Sequence, residues 1–293
     1  RSVHMIVSRE TVIEASDIEG LRSGVQTLRQ LIMACSGVLP KLQIEDHPDY
    51  VQRGYLLDTT RGCVPTLKWL QHWADELELH KYTSLQLYVE DSFAFPGLRS
   101  VWAGTDPLTA DEITSFDRYC ADRGIELIPC LATFGHLYSV LRAEPFRELG
   151  EFPEDADRPF SFIERQEHHT LNITADGAFD LSRHLIDSFV PLFQSRKVNI
   201  CGDETFDLGK GRSSQQAQKV GIQRMYAEYV NRLCKYVRQM GREPLMWGDI
   251  VLQHPEILSQ LTEQPLFLNW QYSPEVTEQS VIQLQQAGAR QWV

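Results

Sequence analysis

Six short apolar segments constrain the fold of this chain more than any other feature. Each opens a unit of strand followed by helix, and each ends in a polar or aromatic group. From residue 53 the alternation runs with little interruption. Residues 54–58 read as a first strand. A helix over 64–80 follows, with Leu67, Leu70, Trp73 and Leu77 at helical spacing and Pro65 in its first turn. Residues 84–89 form the second strand. The next helix begins at Thr109, where Thr-Ala-Asp-Glu has the capping-box pattern, and stops at Gly124. Residues 125–131 are the third strand. After a long variable region come a helix over 175–193, a fourth strand over 197–201 and a helix over 215–240 ending at Gly241. Residues 243–247 and 265–270 are the fifth and sixth strands. A helix over 276–286 leads to the start of a seventh at 290–293.

Near-continuous apolar strands separated by helices call for a parallel sheet covered by helices. Seven such units in one phase favour an α/β fold of the closing (β/α)8, or TIM, type over an open sheet. The expectation is therefore a barrel domain over 51–293 lacking its last strand or strands, that is, a C-terminally truncated barrel. Residues 1–50 read differently. A strand at 11–15, a helix over 20–35 with Leu21, Val25, Leu28 and Leu31 on one face, and a short strand at 41–45 suggest the C-terminal part of a small α/β domain.

The formal net charge of −12 weighs against nucleic acid or an anionic membrane surface as partner. No apolar run is long enough to span a bilayer. The opening Arg1-Ser-Val-His-Met-Ile-Val lacks a signal-peptide layout, and the six cysteines show no CxxC spacing. These features point to reduced core cysteines and a cytoplasmic location. No early strand ends in an HxH pair, so neither a catalytic metal nor another cofactor is expected.

A barrel of this kind does its chemistry just beyond the C-terminal ends of its strands. The first strand ends in Asp58-Thr-Thr-Arg61, the second in Glu90-Asp91 and the third in Thr133-Phe-Gly-His136. The fourth leads to Asp203-Glu204, the fifth ends in Trp247-Gly-Asp249 and the sixth in Asn269-Trp270. Adjacent acids after a buried strand repel and lose hydration unless they have work to do. Side chains alternate along an extended segment, so the two acids are expected to point in different directions. That suggests divided roles in acid-catalysed chemistry on a neutral, oxygen-rich substrate. The Arg61 fork suits vicinal hydroxyls, and Trp247 and Trp270 suit the faces of sugar rings. Glu90, Asp91, Asp249 and His136 complete the candidate set.

Three segments carry a family resemblance. Arg53-Gly-Tyr-Leu-Leu-Asp-Thr-Thr-Arg61 resembles the first-strand signature of the family 20 glycoside hydrolases, the β-N-acetylhexosaminidases. Cys201-Gly-Asp-Glu204 resembles their fourth-strand motif. The segment from Gly20 to Leu31 is similar to the helix ending the small domain before their barrel. The resemblance implies removal of terminal, non-reducing β-linked GlcNAc or GalNAc from a glycan by retaining, substrate-assisted catalysis. It implies Glu204 as general acid and base, and Asp203 as the anion that orients the substrate's acetamido group. It implies Arg61 on the 3- and 4-hydroxyls, His136 supporting the site, and Trp247 and Trp270 as walls of the acetamido pocket. Leu85-Gln86-Leu87 stands where many members carry His-Trp-His. The family's tyrosine after strand seven and tryptophan after strand eight have no counterpart in the sequence. A non-hydrolytic or degenerate barrel that binds acetamido sugars is the alternative.

Overall fold

The computed structural model describes residues 2–275 and 277–293. They fall into two compact units: residues up to 57 with 65–86 and 111–127, and residues 58–64 with 87–110 and 128–293.

The first unit contains a three-stranded antiparallel sheet in the order β2–β1–β3, formed by β1 (Val3–Val7), β2 (Thr11–Ala15) and β3 (Leu42–Asp46). The central strand β1 was not anticipated, although its signal is present: Val3, Met5 and Val7 alternate with more exposed residues and are buried. A helix, Ile18–Ala34, is capped by Asp17, whose Oδ1 accepts from the Gly20 N–H at 2.8 Å. Its expected apolar stripe is corrected by the structure. Leu21 and Val25 are 39% and 41% exposed, while Gly20, Gly24 and Gln26 are buried. The reason is close approach: a Cβ on Gly24 would lie 2.6 Å from side-chain atoms of Val3 and Ile13. The helix therefore meets the sheet through glycine backbone, which turns the larger residues outward. The helix Leu67–Leu79 is capped by Thr66, so Pro65 precedes the cap instead of occupying the first turn.

The large sheet has seven strands in chain order: β4 (Gly54–Asp58), β5 (Ser84–Val89), β6 (Glu126–Leu131), β7 (Lys197–Asn199), β8 (Glu243–Trp247), β9 (Leu266–Leu268) and β10 (Gln291–Trp292). The pairs from β6 to β10 are parallel, with Cys130 opposite Asn199, Val198 opposite Pro244 and Met246 opposite Phe267. The architecture is α/β of the (β/α)8 TIM type. Every strand of this sheet was legible, and several helices differ in extent. The helix expected over 215–240 is two helices, Ser214–Val220 and Ile222–Gln239. They are separated by Gly221 at φ +86°, outside the right-handed helical region. The last helix is Gln279–Gln286, and Val276, where it was expected to begin, lies outside the described residues. The variable region carries an unanticipated short helix, Phe162–Glu167, opened by a Ser161/Glu164 capping box. Among the described residues no helix is long and apolar enough to cross a membrane.

Candidate active site

All the predicted site residues lie in the second unit at or beyond the strand C-termini, most of them in loops; Trp247 closes β8 and Asp249 opens the helix Asp249–Gln253. Regular pairing of β7 ends at Asn199, and the backbone then folds back on itself. Cys201, Gly202 and Glu204 have φ of +60°, +82° and +46°. Side chains with a Cβ rarely adopt this region, so the surroundings must hold it. The Cys201 N–H donates to Asn199 Oδ1 at 2.9 Å, and Thr133 Oγ1 donates to the Ile200 carbonyl at 2.7 Å. Tyr226 donates its phenol proton to the Gly202 carbonyl at 2.7 Å, and Asp249 Oδ2 accepts from the Glu204 N–H at 3.1 Å.

The backbone here is therefore not extended, and the two carboxylates do not diverge as expected. They converge: His136 Nε2 lies 3.2 Å from both Asp203 Oδ2 and Glu204 Oε2. The third-strand loop comes this close because residue 135 is glycine; a Cβ there would sit 2.5 Å from the Asp203 carbonyl oxygen. His136 is 4% exposed. Burial opposes its charge, but its hydrogen bonds to Asp203 and Glu204, helped by Glu90, prevail and raise its pKa to about 10. The site thus holds an imidazolium between two acids at neutral pH.

Arg61 is anchored just as fully. Asp58 Oδ1 accepts the N–H groups of Thr60 and Arg61 at 2.8 and 3.0 Å, forming the turn that aims the arginine. The guanidinium then donates from Nη1 to Asp58 Oδ2 at 2.8 Å and from Nε to Gln166 Oε1 at 2.9 Å, while Nη2 pairs with Glu90 Oε1 at 2.8 Å. Glu90 also accepts from Tyr88 Oη at 2.7 Å. Burial raises the Glu90 pKa, with Arg61, His136 and Tyr88 pulling the other way. Burial works against the charge on Arg61 too, and Tyr88, Glu90 and Asp58 outweigh it to place its pKa above the ordinary value.

Tyr88 and Gln166 were missed at the sequence level. Tyr88 had a signal, since alternation along β5 puts it on the same face as Glu90. Gln166, 105 residues from its partner in the chain, had none. The Asp91 side chain forms no hydrogen bond or ion pair with any described residue, and reaches the site only through its charge, which helps to raise the Glu90 pKa. Trp247 packs over Tyr88, Cys130 and Cys201 at the end of β8. Trp270 follows β9 and leans on the exposed Tyr272, with ring centroids 4.9 Å apart.

Two buried polar atoms at these strand ends, Asp203 Oδ1 and Asn269 Oδ1, have no partner among the described residues. Buried polar atoms are normally paired, so such a group marks a place prepared for something else. An acid pair, an imidazolium and a tethered arginine thus gather beyond the strand C-termini, where a barrel of this type carries its chemistry.

Residues 50–290 match the family described as "Glycosyl hydrolase family 20, catalytic domain", and the chain belongs to that family. It is 25% identical to the beta-hexosaminidase of Vibrio furnissii, covering 86% of this chain and 47% of that protein. Among solved structures it resembles the Flavobacterium johnsoniae chitobiase at a TM-score of 0.79 and 21% identity, covering 99% of this chain and 45% of that one. It also resembles the Streptomyces plicatus N-acetyl-β-hexosaminidase in complex with Thio-NAglucal, at a TM-score of 0.75 and 20% identity, covering 99% and 58%. The chain spans about half the length of the curated relatives it matches.

Proposed function

We propose that this barrel hydrolyses terminal, non-reducing β-linked N-acetylhexosamine, GlcNAc or GalNAc, from glycans or glycoconjugates with retention at the anomeric carbon. In this reading Glu204 gives its proton to the glycosidic oxygen as the bond to C1 breaks. The acetamido carbonyl oxygen of the substrate attacks C1 from the opposite face and forms an oxazolinium ion. Asp203 accepts the acetamido N–H, turns the carbonyl toward C1 and offsets the positive charge that develops. Glu204, now a carboxylate, takes a proton from water as that water opens the oxazolinium. Arg61 binds sugar hydroxyls, and Trp247 and Trp270 line the acetamido group.

The observation that carries this reading is Asp203. Its Oδ2 is held by His136, while its Oδ1 is buried without a donor. An acetamido N–H is a donor of the size and polarity this oxygen lacks. Glu204 is 28% exposed against 14% for Asp203, which suits a group that must exchange protons with water. The reading is tested with an aryl β-N-acetylglucosaminide. Glu204→Gln should lower kcat/KM by about 100- to 10,000-fold, the usual contribution of a general acid. Unchanged turnover in that variant refutes the assignment.

A further inference from the structure

Asp249 was expected to touch substrate, yet its contacts are with the catalytic segment itself. One oxygen, Oδ2, accepts the backbone N–H of Glu204, a residue held at φ +46°. The other, Oδ1, is buried with no donor from another residue; the only further donor to the carboxyl is the Asp249 backbone N–H. The titratable groups that face Asp249 are the carboxyls of Asp203 and Glu204 and the Tyr226 phenol, whose proton is already given to the Gly202 carbonyl. No lysine, arginine or histidine forms an ion pair with Asp249 among the described residues. A buried carboxylate with only two backbone N–H donors, no cation paired to it and acids facing it is costly. A neutral carboxylic acid in the same place keeps an acceptor and gains a proton to donate.

We propose that Asp249 is a positioning residue that works as a neutral carboxylic acid. It pins the backbone of Glu204 through Oδ2 and, by staying uncharged, leaves Asp203 as the anion available to the acetamido N–H. The proposal rests on the catalytic reading above and adds a proton to it. The electrostatics agree: burial first, and then the charge of Asp203, push the Asp249 pKa up to about 7. When that proton leaves, a second buried anion stands beside Asp203, repels it, and disturbs the geometry on which the oxazolinium step depends. Asp249, and not Glu204 alone, then sets the alkaline limit of activity.

The test uses an aryl β-N-acetylglucosaminide with a dinitrophenolate leaving group, which departs without a proton from Glu204. Wild-type kcat/KM should still fall above pH about 7. Asp249→Asn keeps an oxygen for the Glu204 N–H and cannot ionise. It should move that limb up by about one pH unit or more, with kcat below the limb retained within about tenfold. Asp249→Leu, which lacks the acceptor, should lose at least about tenfold in kcat with little change in KM. A limb absent from the wild type with this substrate, or unmoved in Asp249→Asn, overturns the proposal. An infrared pH titration of the wild-type protein needs no turnover, so it separates this proposal from the hydrolase reading. A neutral carboxyl C=O band that is missing from Asp249→Asn should persist well above the ordinary carboxylate range and vanish near pH 7. Its absence at pH values just below 7 overturns the proposal even if the enzyme is active.

Discussion

Replacing His136 by Asn tests how the acid pair is held together. Asn tolerates the left-handed backbone at this position, where φ is +53°, and it carries no titratable charge. In the folded chain the His136 pKa rises from 6.5 to about 10. At about 1.4 kcal/mol per unit, the interaction stabilises the fold by roughly 4–5 kcal/mol. Between the unfolded and folded pKa values the native chain holds one proton more than the unfolded chain, so stability falls as pH rises. The contribution is complete below pH 6.5, declines through the interval and is gone above pH about 10. Urea unfolding at fixed ionic strength across this range should show the wild type losing several kcal/mol relative to His136→Asn. A difference between the two proteins that stays constant with pH refutes the imidazolium between the carboxylates.

Gly135→Ala should cost about 1–3 kcal/mol of overpacking, because its new methyl meets the Asp203 carbonyl oxygen at 2.5 Å. A melting temperature within a degree of wild type would contradict that contact. Gln166→Ala removes the acceptor for Arg61 Nε and should raise KM by about three- to tenfold at unchanged kcat, the size of one ordinary hydrogen bond. An equal loss in kcat would show that Arg61 acts mainly in the transition state. Tyr88→Phe takes a donor from the buried Glu90 and should destabilise the chain by about 1–3 kcal/mol, read by urea unfolding.

The strand order was legible because buried parallel strands are nearly continuous apolar runs, which sequence displays directly. The rim was legible for the same reason: once the strands are placed, Arg61, Glu90, His136, Glu204, Asp249 and Trp270 fall at their ends. The small sheet was only half legible, because the opening residues were tested only against a signal-peptide layout and the alternation of Val3, Met5 and Val7 was passed over. Sequence also misjudged the relation between Asp203 and Glu204. Alternation holds only for extended backbone, and the left-handed turns at Cys201 and Glu204 are imposed by Asn199, Tyr226 and Asp249 from elsewhere in the chain. Glycines at 135 and 202 hinted at tight approach, but residue types alone do not say which groups meet across it. The exposed Leu21 and Val25 carry the same lesson, since the helix contact runs through Gly24.

The most direct test of the central claim, that the substrate's own acetamido group is the nucleophile held by Asp203, compares two aryl glycosides with the same leaving group. One is the β-N-acetylglucosaminide and the other the β-glucoside, which carries a hydroxyl at C2. Because a positioned internal nucleophile is worth many orders of magnitude, kcat/KM for the glucoside should be lower by at least about a thousandfold. Values within about tenfold of each other would contradict the account and assign the displacement to an enzyme carboxylate instead.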